Sequence, residues 1–267
     1  MNTDIKQIIT GGTHLSYRMV GKGPAVLFIP GFAEDHHIWD EQVNYLSENH
    51  CCIVPDLFGI GHSGEMQLEK ITSLYDIAIC LNEILIHEEI KTVYIFGHSM
   101  GGYLALEFAT AFPKKTNAIG LIHSTAYADS VEKKNMRLKV IRHWEKFGSK
   151  STQRTSIPSL FAEQNKALPF VQQLIEKAEK ISTETMIRYY QMMMDRPDHS
   201  QLLKTLSIPF LFVGGKHDLA VPFEQTIEQS KLPQNSELHL LEHSGHMGML
   251  EETEKINQIL RRFVERL

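Results

Sequence analysis

Cysteine is scarce in this chain of 267 residues: there are three, and two of them, Cys51 and Cys52, are adjacent. That excludes a disulfide framework and suits a compartment where thiols stay reduced. Charge of one sign is lacking too. Lys and Arg number 27 against 32 Asp and Glu, so the formal net charge is only −5. A mildly acidic chain has no electrostatic footprint for nucleic acid or an anionic membrane. No apolar run approaches the roughly 20 residues of a membrane span; the longest are Ala25–Ile29, Val93–Phe96 and Phe210–Val213. The first residues, Met1–Gly12, carry Asp4 and Lys6 and lack the apolar centre of a secretory signal. Repeats, heptads and low-complexity tracts are absent as well. The expected location is therefore the cytoplasm. A homodimer is compatible with this composition, and a nucleic-acid partner is not expected.

What is present is an ordinary globular composition, 42% hydrophobic and 22% charged. Short β-rich runs alternate with longer helical stretches. Strands are predicted at Leu15–Val20, Ala25–Ile29, Cys52–Val54, Val93–Phe96, Ala118–Ile122, Phe210–Val213 and Glu237–Leu241. The central ones are continuous apolar runs, as in strands buried on both faces. Helices are predicted at Ser73–His87, Met100–Phe112, Glu224–Ser230 and Glu252–Leu267, with Ser73 and Asp76 capping the first. This alternation implies an α/β fold: a mostly parallel central sheet with helices on both faces. From about Thr125 to Thr205 the rhythm breaks into amphipathic helical pieces, at Val131–Phe147, Leu168–Ile181 and Glu184–Asp195. The strand pattern then resumes. Residues 1–124 and 206–267 thus form the expected core, and 125–205 an inserted helical cap.

The strongest chemical signal is Phe96-Gly97-His98-Ser99-Met100-Gly101-Gly102, a G-x-S-x-G motif that follows a predicted strand and opens a predicted helix. A nucleophile on so sharp a turn needs neighbours almost free of side chain, which Gly97 and Gly101 supply. The following helix brings backbone N–H groups and a positive dipole end toward developing negative charge. A serine also needs a base, and the base a carboxylate. Asp218 follows the Phe210–Val213 strand and His246 follows the Glu237–Leu241 strand, which gives the order nucleophile, acid, histidine. His246 is preferred to His243 because Gly245 permits a tight approach to the sheet's carboxyl edge. His98 should point away from Ser99, and His217 neighbours the acid. Two N–H donors are needed for an oxyanion: Met100, after the nucleophile, and Phe32 in the loop Ile29-Pro30-Gly31-Phe32.

Taken in order, five segments resemble the α/β-hydrolase superfamily over nearly the whole chain. They are Pro30-Gly31-Phe32, Asp56–Ser63, Gly97–Gly102, His217–Pro222 and Ser244–Met247. The resemblance implies Ser99, Asp218 and His246 as a triad, Phe32 and Met100 as oxyanion donors, and 125–205 as the cap. Phe32–Trp39 and Met194–Asp198 are similar to a subgroup of carboxylesterases and enol-lactone hydrolases. One departure is Pro30-Gly31 where many members have His-Gly; the backbone donor survives, but that histidine's contacts do not.

Two competing patterns are weaker. Gly59-Ile60-Gly61-His62-Ser63-Gly64 fits a dinucleotide fingerprint, but the stretch after it is a poor helix start. It reads better as a turn held by Asp56 and Ser63. His243, His246 and the pair His36-His37 suggest metal ligation, yet no H-E-x-x-H and no cysteine pair of zinc spacing is present. The chemistry calls for no metal and no other cofactor.

Apolar residues expected to line a pocket over Ser99 are Phe32, Trp144, Phe161, Met193, Leu219, Val221 and Met247. A serine nucleophile beside an apolar pocket suggests a small or medium carboxylic ester, lactone or thioester, cleaved through an acyl-enzyme. Carbon–carbon bond hydrolases and cofactor-free haloperoxidases share the triad, and ligand receptors can keep it on the same fold.

Overall fold

The computed structural model describes residues 5–267. Eight strands form one sheet: β1 (Ile5–Thr10), β2 (Thr13–Val20), β3 (Ala25–Ile29), β4 (Cys51–Pro55), β5 (Val93–His98), β6 (Thr116–Ile122), β7 (Phe210–Gly215) and β8 (Ser236–Leu241). Their spatial order is β1-β2-β4-β3-β5-β6-β7-β8. The first two ladders, β1 to β2 and β2 to β4, are antiparallel, and the rest are parallel.

Strand β1 lies outside the sequence expectation. Its residues, Ile5–Thr10, are too mixed to show a clean buried face. The missed signal was Gly11-Gly12, a two-residue hairpin turn in which both glycines have positive φ, 58° and 86°.

The period-2 alternation of the buried strands divides the core. In β3, Val26 and Phe28 face one side with Trp39, Phe96 and Phe263; Leu27 and Ile29 face the other with Leu81, Ile95 and Leu104. Helices α1 (Asp40–Leu46) and α11 (Thr253–Glu265) cover the first side, and α2 (Leu74–His87) and α3 (Met100–Ala111) the second. Helix α9 (Phe223–Ser230) packs on β7 and β8. At the start of α2, Asp76 N–H donates to Ser73 Oγ and Ser73 N–H to Asp76 Oδ2, closing the expected capping box; such a cap is worth about 1 kcal/mol.

Five helices lie between β6 and β7: α4 (Val131–Phe147), α5 (Lys150–Ser156), α6 (Pro169–Ala178), α7 (Thr183–Asp195) and α8 (Ser200–Thr205). They do not build a core of their own. Trp144, Met186, Tyr189 and Met193 join the cluster that holds Phe58 and Tyr103, and Tyr189 donates its hydroxyl to the Phe58 carbonyl at 2.9 Å. No helix among the described residues is long and apolar enough to cross a membrane.

The parallel hydrogen-bond ladder continues past the strands into the loops at their carboxyl ends. Ser99 N–H donates to Ile122 O at 3.0 Å and His123 N–H to Val213 O at 2.8 Å. Lys216 N–H donates to Leu241 O at 2.9 Å and His217 N–H to Ser244 O at 3.0 Å. These loops are where an open α/β sheet places its ligands.

Candidate active site

Ser99 occupies the turn between β5 and α3 with φ 50° and ψ −115°. A side-chain-bearing residue there is strained, by about 1–3 kcal/mol. The turn closes only because Gly97 has no side chain; a Cβ there would lie 2.2 Å from Gly101 O. Ser99 O is held by Ser124 Oγ–H at 2.6 Å and Gly102 N–H at 3.0 Å. The N–H groups of Met100 and Phe32 donate to no partner among the described residues. Met100 N–H is the first of a 12-residue helix, where the backbone dipoles favour negative charge.

Asp218 Oδ1 accepts N–H groups of Ala220 at 2.8 Å and Val221 at 2.9 Å, so the loop after β7 orients the carboxylate. Its Oδ2 receives His246 Nδ1 at 2.8 Å. Burial alone would raise the pKa of Asp218, but His246 and His123 outweigh it and hold the carboxyl far below the usual range. His246 keeps Nε2 without a partner among the described residues. Gly245 matters here for a different reason from the expected one. Its close neighbour is the inserted chain: a Cβ would lie 2.6 Å from Leu160 O, which also accepts His246 N–H at 2.6 Å.

The sequence reading did not single out His123 or Glu34. His123 directly follows β6 with positive φ, 48°, and places Nδ1 3.1 Å from the same Asp218 Oδ2. Its Nε2 accepts Gly248 N–H at 3.2 Å. A backbone N–H can only donate, so the neutral ring carries its proton on Nδ1 and gives it to Asp218. Complete burial pushes this histidine down to about 4, so it stays neutral at pH 7. The signal available was its place directly after a buried strand, where polar residues gather for function.

Glu34 Oε2 receives Gly31 N–H at 2.6 Å and His98 Nδ1 at 2.9 Å. His98 Nε2 donates to His246 O at 2.8 Å. Burial opposes charge on His98, but Glu34 outweighs it and raises the imidazole above its ordinary value. This pair ties the Phe32 loop to the backbone of His246.

His123, Asp218 and His246 are also the one cluster among the described residues whose donor atoms lie close enough, within 4.8 Å, to hold a metal. Their Nδ1 atoms are committed as hydrogen-bond donors to Asp218, so the arrangement suits a proton network better than a cation. His243 is exposed, His36 pairs with Asp56 at 2.8 Å, and His37 pairs with Asp35 at 3.2 Å. The glycine-rich turn is held as expected: Asp56 Oδ2 accepts His62 N–H at 2.8 Å, and Ser63 Oγ–H donates to Asp56 O at 2.6 Å. No helix opens there.

Ser99, His246 and Phe32 line one cavity of about 490 Å³. Met193, Leu219 and Val221 line it too, with Leu219 82% exposed at the mouth. Trp144, Phe161 and Met247 stand outside its wall. Trp144 backs Phe32 and Tyr190, with ring centroids 6.3 and 4.6 Å away. Phe161 packs against Phe170, and Met247 is buried in the α11 side of the core. Their positions follow from size and apolarity: a large side chain is more readily sealed in a core than left on a cavity wall.

The chain is 22% identical to RutD of Serratia proteamaculans, assigned as a carbamate hydrolase, over 91% of this chain and 93% of that protein. An esterase from Thermogutta terrifontis, solved with malate bound, superposes with a TM-score of 0.91 at 26% identity, covering 98% of each chain. The enol-lactonase from Burkholderia xenovorans LB400 superposes with a TM-score of 0.86 at 20% identity, covering 97% of this chain and all of the other. The chain spans about a third of the length of the mycobacterial proteins to which it is 32% identical over 111 residues. Residues 24–253 match the family model of the α/β hydrolase fold. The chain belongs to the α/β hydrolase fold family.

Proposed function

We propose that this protein is a serine hydrolase that cleaves a small or medium carboxylic ester, lactone or thioester through an acyl-enzyme on Ser99. The observation that carries this reading is the strained Ser99 turn sharing one cavity with His246, whose Nδ1 is already bonded to Asp218. With Nδ1–H given to Asp218, Nε2 of His246 is the basic nitrogen that takes the Ser99 proton. Ser99 Oγ attacks the carbonyl carbon, and the oxyanion is received by the N–H groups of Phe32 and Met100. His246 then returns the proton to the leaving alcohol. Water, deprotonated by the same nitrogen, releases the acid and restores Ser99.

Residues 125–205 serve as the cap in this reading, since α4 and α7 supply Arg137, Tyr190 and Met193 to the cavity wall. The Thermogutta esterase, similar over nearly its full length, supports ester cleavage. The three cysteines are free and buried, which suits a reducing compartment, and we place the enzyme in the cytoplasm.

The test is labelling by a fluorophosphonate together with hydrolysis of short p-nitrophenyl esters. Both should be lost in Ser99→Ala, the hydrolysis by about three orders of magnitude or more. An esterase rate unaffected by that substitution would overturn the assignment.

A further inference from the structure

The cavity wall opposite the elbow is not the plain apolar surface that a simple acyl chain would need. Lys133, Arg137 and Arg196 all reach it, against a single aspartate, Asp129. The two arginines differ in how they are satisfied. Arg196 donates from Nη1 to Asp129 Oδ1 at 2.8 Å and to Met193 O at 2.6 Å, and from Nη2 to Tyr127 O at 2.8 Å. Its guanidinium lies 3.9 Å from the centre of the Tyr103 ring. Arg196 is thus a strut between the helical insert and α3, with both terminal nitrogens bonded.

Arg137 is not. Only its Nε is engaged, to Asp129 Oδ2 at 2.7 Å. The residue is 7% exposed, yet Nη1 and Nη2 have no partner among the described residues and are not among the sealed, unbonded atoms. Arg137 lines the cavity, and these two nitrogens are the part of its guanidinium left unbonded there. The Tyr190 ring, 4.8 Å from the guanidinium carbon, supports the charge from one side. Lys133, four residues earlier on α4 and so on the same face, bonds only a neutral acceptor, Ala220 O at 3.2 Å.

The remaining charged groups do not cancel this. Both oxygens of Asp129 are taken by the arginines. Glu34, on the other wall, is paired with His98 and Gly31 N–H. A nearly buried cation with two unbonded terminal nitrogens is costly unless something answers it. The terminal nitrogens of a guanidinium match the two oxygens of a carboxylate.

We propose that the cavity selects esters or lactones that carry a second, free carboxylate, seated on Arg137 with Lys133 beside it, while the scissile carbonyl lies at Ser99. This rests on the serine hydrolase reading above for the reaction, though not for the anion site itself. Met136 and Leu219, at 55% and 82% exposed, leave the rim apolar for the linking chain.

The experiment compares p-nitrophenyl hemiglutarate with p-nitrophenyl pentanoate, its neutral counterpart. The native enzyme should favour the anionic ester at least tenfold in kcat/KM. That ratio should fall at least tenfold in Arg137→Gln, less in Arg137→Lys, and should decline with added salt. No preference in the native enzyme, or the same ratio in Arg137→Gln, would overturn the proposal. Should Arg137→Gln fail to fold, Lys133→Gln at a half-buried position must lower the ratio instead. Glutarate binding to Ser99→Ala, measured by calorimetry against 1,5-pentanediol, separates the two assignments. Glutarate binding without any ester turnover in the native enzyme keeps the anion site and overturns the hydrolase reading. Turnover of the neutral ester with no glutarate binding does the reverse.

Discussion

His123 donates its Nδ1 proton to Asp218 Oδ2 at 3.1 Å, sharing that oxygen with His246. The carboxylate is therefore gripped from both sides by imidazoles, one with its Nε2 unbonded among the described residues and one locked by Gly248 N–H. Asp218 Oδ2 cannot turn away from one imidazole without disturbing its bond to the other.

Removing that second grip should weaken catalysis through geometry and charge. His123→Phe, which fills the space without a donor, is expected to lower kcat about tenfold or more, the worth of one hydrogen bond to a charged group. The carboxylate, less stabilised, should then hold a proton on His246 more firmly. The acidic limb of the kcat/KM pH profile, where His246 must lose its proton to act as the base, should move to higher pH, and His123→Asn, which retains an N–H donor, should restore part of both. A lowered kcat with an unmoved profile would mean that His123 only fills space.

The same histidine predicts how stability depends on acid. An ordinary unfolded histidine titrates near 6.5, and folded His123 near 4. Between those values the unfolded chain binds the proton and the folded one does not. Stability is thus fully present above about pH 6.5 and is lost as the pH falls toward 4, by about 1–3 kcal/mol in all. Urea unfolding across that window should show this slope in the native protein and a shallower one in His123→Phe. His98, raised rather than lowered, contributes in the opposite sense, its stabilisation fading as the pH rises above its own titration.

Glu34→Gln should separate stability from chemistry on the other wall. It removes the counter-charge of a buried imidazole, so His98 should titrate lower and the protein should lose about 1–3 kcal/mol. The Phe32 loop, held through Gly31 N–H and Glu34, should loosen with it. The expected signs are a lower Tm and a lower kcat for p-nitrophenyl esters with little change in KM. A rise in KM alone would place Glu34 in substrate binding instead.

Ser99 offers a test of stored strain. Ser99→Ala keeps a Cβ at φ 50°, whereas Ser99→Gly releases it. Both should be inactive, but the glycine variant should melt higher, by an order of 1 kcal/mol after its extra backbone entropy is counted. For a chain of this size that is about 2 °C. Equal melting temperatures would show that the turn is not strained.

Much of this site was legible because each expected residue follows a strand of the parallel sheet and sits by a glycine: Ser99 between Gly97 and Gly101, Asp218 after Gly215, His246 after Gly245. The sheet was legible wherever strands are buried on both faces, and failed at β1, which is half exposed. The short helices α1, α5, α8 and α10 (Gly248–Glu251) are seven residues or fewer and hold too few turns for a periodic pattern. His123 meets Asp218 across 95 positions, and Glu34 meets His98 across 64. Local pattern carries no trace of such pairings. Arg137 was hidden otherwise: on α4 it looks like one more cation on a basic helix, and only packing against Tyr190 and Asp129 marks it.

The ladder that runs past the strand ends has a consequence for motion. Because Ser99, His123 and His217 donate their N–H groups to neighbouring strand ends or loops, the elbow and the acid loop breathe with the sheet, not as separate flaps. Their amides should exchange with solvent as slowly as those of β5 and β6, opening only when the sheet itself opens. Whatever admits substrate must then move on the other side of the cavity, in α4 and α7, so that entry is set by the slack of the inserted helices while the reacting groups stay in register.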